Sequence, residues 1–146
     1  MPNPYQTILF EALRKVTAEN GYLSIVGENR DINERSLTHR LAFYLEQCGY
    51  FSGYNIDCEY NRHGTKSKRN ARDELIYPDI VIHIRGDDDH NHLIIQAKKF
   101  NDTEAEVQEA RQALRDAKKP PLKYKFAFLI IFPQYMEVSK TSIIEI

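Results

Sequence analysis

Residues 77–100 read YPDIVIHIRGDDDHNHLIIQAKKF, and this stretch decides the fold. Two runs rich in β-branched and aliphatic residues, Tyr77 to Ile84 and His92 to Phe100, are typical of strands. Between them, the segment from Arg85 to Asn91 has the glycine and aspartate content of a turn that joins neighbouring strands. The stretch therefore predicts a β-hairpin in the middle of the chain.

Helical spacing of apolar residues predicts three helices around this hairpin. They cover approximately Pro4 to Glu19, Ile32 to Cys48 and Thr103 to Lys119. Gly49 follows the second helix, at the position where a left-handed residue commonly ends a helix. The third helix begins with a Thr-x-x-Glu capping box, which marks its first turn.

Three further segments have the composition of strands. Tyr54 to Asn61 precedes the hairpin, Tyr124 to Phe132 is an apolar run expected to be buried on both faces, and Thr141 to Ile146 is expected to form an edge strand. The resulting order is helix, helix, three strands, helix, strand. It predicts a single α/β domain over residues 1–146, with a mixed sheet of about four to five strands flanked by helices.

Composition excludes several classes of protein. The chain has 146 residues, 42% of them hydrophobic, and a formal net charge of -1, which argues against disorder and against a uniformly basic protein that coats nucleic acid. Neither a signal peptide nor a membrane-length apolar run is recognisable, so we expect a soluble cytoplasmic protein. Cys48 and Cys58 have apolar or aromatic neighbours and are expected to be small buried hydrophobic residues.

Polar residues interrupt the two apolar strands of the hairpin. Because side chains alternate along a strand, Gln96 and Lys98 are expected on one face and Ala97 on the other. Asp79, at the start of the first strand, is expected to meet them across the hairpin. Bulky polar side chains between isoleucines need partners or a function. The hairpin therefore predicts a site as well as a fold.

These residues resemble the PD-(D/E)XK nuclease superfamily, whose restriction-endonuclease-like fold has the same order of elements. Pro78-Asp79 matches its PD element and Gln96-Ala97-Lys98 its (D/E)XK element. The resemblance implies a nuclease that depends on Mg²⁺, or on Mn²⁺ in its place, and that hydrolyses phosphodiester bonds of DNA. The resemblance also implies roles for individual residues. Asp79, Gln96 and the Ala97 carbonyl would bind the metal, and Lys98 would have a catalytic role beside the attacking water.

It also implies an auxiliary acid on the preceding helix, where Glu34 stands.

Gln96 departs from the family pattern, which has an acid at this position. An amide oxygen still binds a cation but lacks the negative charge, so cation affinity should fall. A second interpretation is therefore a catalytically inactive nucleic-acid-binding or regulatory protein with the nuclease fold. A third is an α/β interaction protein in which Asp79 and Lys98 form a buried ion pair. The sequence leaves open whether the protein forms a homodimer.

A basic segment lies between the predicted strands. Residues 61–72 carry five positive charges and no acid, which predicts contact with a phosphate backbone, although such a run is often only solvated surface. The predicted nucleic-acid-binding residues are Arg62, Lys66, Lys68, Arg69 and Arg72.

Three acidic features have two interpretations each. Glu34 is either a site residue or, together with Asp31, part of a capping box. Glu59 is either an outer group of the metal site or a solvated acid. The acids and histidines of residues 87–92 favour a solvated turn over a metal site, since they are consecutive.

Overall fold

The protein is an α/β domain with a five-stranded mixed sheet flanked by three helices, as the sequence predicts. The structure is a computed structural model. It describes residues 3–19, 34–60, 62–63, 66–67, 69, 72–73, 77–87, 89–133 and 141–146. Several residues that entered the predictions above lie outside these ranges, namely Asp31, Ile32, Asn61, Lys68 and Asp88.

The helices and strands have the following bounds. The helices are α1 Pro4–Glu19, α2 Glu34–Gln47 and α3 Glu104–Ala117. The sheet consists of β1 Asn55–Cys58, β4 Ile80–His83, β5 Leu93–Lys99, β6 Phe126–Phe132 and β7 Ser142–Glu145. A separate pair of two-residue strands is formed by β2 Arg62–His63 and β3 Lys66–Ser67.

The sheet has the order β1-β4-β5-β6-β7, with β5 at its centre. Strands β4 and β5 pair antiparallel as the predicted hairpin, with Ile80 opposite Ile95. Strands β5 and β6 pair in parallel, which requires the crossover that α3 supplies. Strand β7 pairs antiparallel with β6 and forms one edge. These pairings confirm the predicted hairpin, crossover and edge strand.

Apolar side chains cover the sheet on both faces. On one face, residues such as Ile80, Ile95 and Phe128 pack with α1 and α2. On the other face, residues such as Val81 and Leu129 pack with α3. Strand β6 is buried on both faces, as predicted from its continuous apolar run. The domain therefore has three layers, and a polar side chain on β4 or β5 must find partners inside them.

The ends of two helices confirm the local patterns. Thr103 accepts a hydrogen bond from the Glu106 backbone N–H, and the Glu106 carboxylate accepts one from the Thr103 N–H, which is the predicted capping box. Gly49 has a φ of 71°, the left-handed geometry expected after α2.

One pair of strands is not recognisable from the sequence, and one expectation is wrong. Part of the basic segment forms the β2-β3 pair, and two-residue strands are too short to produce a recognisable alternation. Cys48 and Cys58 are exposed and not buried. Cys48 follows the end of α2, and Cys58 is the last residue of edge strand β1, so each lies at the end of its element, where packing is incomplete.

None of the helices in the described ranges combines the length and hydrophobicity needed to cross a bilayer.

A charged network joins β1, β4 and the turn after β4. His83 is 2% exposed, and its Nε2 lies 2.9 Å from Oδ2 of Asp57. Arg85 holds both oxygens of the same carboxylate. The Arg85 guanidinium, together with the His83 ring, lowers the pKa of Asp57 although burial opposes this. His83 is thus a core histidine with a polar partner, and Asp57 ties the edge strand to its neighbour.

We expect Asp57→Asn to reduce the free energy of unfolding by about 2 kcal/mol at pH 7, because it weakens three charge-assisted hydrogen bonds. The pKa of Asp57 is lowered by folding, so this stabilisation is complete above the unfolded value of about 4 and is lost as the pH falls further. Urea denaturation at several pH values measures the difference. Asp73→Asn, on a side chain that is 89% exposed, is the control. An Asp57→Asn deficit that does not shrink below pH ~4 would contradict the assignment.

Candidate active site

Asp79 immediately precedes β4 and is bonded twice to β5. Its backbone N–H donates to Oε1 of Gln96 at 3.1 Å, and its Oδ2 accepts the Ala97 N–H at 2.7 Å. The antiparallel register brings these residues together, because Ile80 already lies opposite Ile95. The hairpin therefore fixes the Asp79 carboxylate at the end of the sheet where the two halves of the sequence motif meet.

A cleft of about 170 Å³ opens beside this carboxylate, between α2 and the ends of β1 and β4. The helix supplies one wall and the strand ends supply the other. Its lining residues are Glu34, Arg35, Thr38, His39, Cys58, Glu59 and Asp79. The structure thus brings Glu34 and Asp79 to one cavity, although they are distant in sequence. Glu34 lies in the first turn of α2, where the helix dipole also favours an acid.

Burial and neighbouring negative charges act on the two acids. Burial is the largest cause that raises the pKa of Asp79, and Glu59 adds to it, while the Ala97 N–H and the Lys98 charge oppose it. The pKa of Glu34 is raised by burial first and by the negative charge of Asp79 second. The ionised form of each acid is therefore unfavourable in the folded protein, and a nearby positive charge makes it less so.

Gln96 and Lys98 are half-buried on the face of β5 opposite Ala97, as the alternation predicts. Neither of them lines the cleft among the residues that the structure describes. Gln96 is joined to Asp79 by the hydrogen bond from its backbone, and Lys98 acts on Asp79 and Glu34 through its charge. The Asp79 carboxylate takes its hydrogen bond from backbone rather than from the Lys98 ammonium, which differs from the buried ion pair considered above.

The oxygen donors at and near Asp79 are of the type that binds a hard cation. Carboxylate oxygens of Asp79 and Glu34 and the amide oxygen of Gln96 are the ligand type that Mg²⁺ prefers, and Mg²⁺ keeps several waters and needs only one or two carboxylates. The Gln96 oxygen accepts one hydrogen bond and has a second lone pair. In the described part of the chain, His, Cys, Asp and Glu side chains do not form a ready cage of three ligands.

The described part of the basic segment makes contacts within the protein. Arg69 bonds the Asp73 carbonyl at 2.7 Å, and Arg72 pairs with Oδ2 of Asp116 on α3 at 3.1 Å. Asp116 is 3% exposed, so Arg72 partly compensates a buried acid. Arg62 and Lys66 lie in β2 and β3. The role of these residues in binding nucleic acid stays a prediction.

Three features of the cleft are not recognisable from sequence. Nε of Arg35 lies 3.3 Å from Oε1 of Glu59, which places an ion pair on the lining of the cleft. Glu59 adopts a φ of 50°, and its N–H donates to the Asp79 carbonyl at 3.1 Å. Thr38 is 6% exposed, and its buried hydroxyl has no partner among the described residues. The one sequence signal for any of them is the position of Thr38, which lies one helical turn after Glu34.

The acidic turn after β4 is separate from the site. The Asp87 carboxylate bonds His90 at 2.6 Å and the Asp89 N–H at 2.9 Å, so its polar contacts lie within the turn. This local bonding agrees with the predicted solvated turn.

No protein-family model and no curated protein matches this sequence at a significant level.

We expect Asp79→Asn to raise Tm by a few degrees at pH 7.5. The pKa of Asp79 is raised by folding, so its ionised form destabilises the native state at neutral pH, and this penalty vanishes below the unfolded value of about 4. Asparagine keeps an oxygen that accepts the Ala97 N–H. Differential scanning calorimetry at pH 7.5 and near pH 4 checks this. Glu109→Gln, on an exposed part of α3, is the control; an equal gain at both pH values would exclude the charge as cause.

Proposed function

We propose that the protein is a metal-dependent nuclease that cleaves DNA in the cytoplasm, with a site of the PD-(D/E)XK type. The observation that carries this proposal is the double bonding of Asp79 to Gln96 and Ala97, because it joins the two halves of the motif at one end of the sheet. Glu34 supports it, since a second acid shares the cleft with Asp79. Asp79, Glu34 and the oxygens of Gln96 and Ala97 are the groups that would hold Mg²⁺ or Mn²⁺.

Each side chain has a task in this chemistry. A bound cation lowers the pKa of a water and offsets negative charge on the phosphoryl group. Asp79 and Glu34 would supply the negative charge that selects a cation, and a bound cation would offset the repulsion that Asp79 exerts on Glu34. Lys98 orients the attacking water or stabilises the charge that develops on the phosphate.

The decisive test is cleavage of a supercoiled plasmid and of a linear duplex with Mg²⁺ or Mn²⁺. We expect Lys98→Ala and Asp79→Asn to reduce the rate by roughly 100-fold or more, the effect of removing a group that acts on the transition state. Lys125→Ala is the matched control, because Lys125 is exposed and precedes β6 at the opposite end of the sheet.

Equal rates for the wild type, Lys98→Ala and Lys125→Ala would contradict catalysis at this site. Isothermal titration of Mg²⁺ or Mn²⁺ into the wild type and Asp79→Asn gives a second readout, in which the heat of binding depends on Asp79.

Gln96 favours a second candidate function, a nucleic-acid-binding protein that keeps this fold without cleavage. Its amide oxygen already accepts the Asp79 N–H, and the described acids do not form a complete ligand group. Gln96→Glu separates the candidates in the same plasmid assay. If the site is a weakened nuclease, the restored charge increases metal-dependent cleavage. If neither form cleaves and both bind DNA with strong salt dependence, the binding function stands.

A further inference from the structure

The mouth of the cleft carries a basic residue that the nuclease motif does not include. Arg35 lies in the first turn of α2, directly after Glu34, and lines the cleft beside Asp79. Its side chain is 86% exposed and pairs with Glu59, which is 53% exposed. Exposed ion pairs contribute roughly 0–1 kcal/mol, so another anion can replace the carboxylate with little loss.

A phosphate group is a better partner for Arg35 than Glu59 is. The guanidinium binds phosphate oxygens in a two-pronged geometry, whereas its contact with Glu59 joins one nitrogen to one oxygen at 3.3 Å. The first turn of a helix also favours anions through the helix dipole. A phosphodiester that approaches Asp79 therefore meets a cation placed to receive a neighbouring phosphate.

The interior of the same cleft contains an unused polar group. Thr38 lines the cleft one turn after Arg35, and its hydroxyl is buried without a hydrogen-bond partner among the described residues. A buried hydroxyl without a partner is unfavourable until it gains one. This observation is independent of the ion pair and identifies an unsatisfied polar group at the wall of the cleft.

We propose that Arg35 binds a backbone phosphate of the nucleic acid next to the one at Asp79, and that Glu59 holds Arg35 across the cleft mouth until the nucleic acid displaces it. The inference rests on the proposed function and adds a positioning residue to it. Glu59 suits this task because the bond from its N–H to the Asp79 carbonyl fixes its backbone beside the site.

The test is DNA binding measured by fluorescence anisotropy with a labelled 20-bp duplex, in Ca²⁺ to suppress cleavage and over a range of salt concentrations. We expect Arg35→Gln to weaken binding roughly 3- to 10-fold and to reduce the slope of log Kd against log salt by about one, the effect of losing one phosphate contact. Glu59→Gln frees Arg35 and should tighten binding by about 3-fold.

A matched control pair lies on α1, where Arg14 and Glu11 form an exposed ion pair at 3.0 Å. Arg14→Gln and Glu11→Gln make the same charge changes away from the cleft. The double variant Arg35→Gln/Glu59→Gln completes the cycle, and it should lose the gain that Glu59→Gln gives alone. Because all four side chains are more than half exposed, the variants should fold, which circular dichroism checks.

Three results obtained with the variants would overturn the inference. They are an unchanged salt slope in Arg35→Gln, an equal gain from Glu59→Gln with and without Arg35, and an effect of equal size in the α1 control pair. A wild type that binds no DNA would also overturn it. Binding through Arg35 without any cleavage would instead contradict only the nuclease proposal, and Lys98-dependent cleavage that is indifferent to Arg35 would contradict only this inference.

Discussion

Strand β5 pairs on both sides, antiparallel with β4 and parallel with β6, and these pairings position the motif residues Asp79, Gln96 and Ala97. Its first half is apolar on both faces and lies between the helix layers. Its second half carries Gln96 and Lys98 on one face, at the end of the sheet that lies beside the cleft. Asp79 meets this half because the β4-β5 register continues past the last strand pair as two hydrogen bonds to Gln96 and Ala97.

The same geometry places two negatively charged side chains close together in a partly buried site. Two acids share a small cavity, and burial raises the pKa of each. Lys98 opposes both shifts through its charge without forming the hydrogen bond that would neutralise Asp79. Such an arrangement reduces stability, and proteins keep it where it serves binding or chemistry. It contrasts with the Asp57 network, in which Arg85 and His83 fully engage a carboxylate and the pKa falls.

Sequence patterns predicted the sheet, the three helices and the crossover because each element has a long apolar period or a recognisable cap. They failed where the outcome depends on distant neighbours. Cys58 is exposed because it ends an edge strand, and no property of its own segment indicates this. Asp79 and Gln96 could be paired from the hairpin alone, whereas the contact between Arg35 and Glu59 depends on how α2 packs beside β1, which periodicity does not specify.

The hairpin also has a consequence for how the site assembles. Asp79 and Gln96 are 17 residues apart, so closing the loop between them has a small entropic cost. Strand β6 can pair with β5 only after α3 has formed the crossover. Glu34 joins the site only when α2 packs on the sheet. We infer that the motif half of the site forms early, as a local contact in the folding chain, while the cleft closes late. Nascent chains would thus acquire the paired motif strands before they acquire a cavity that can hold a ligand.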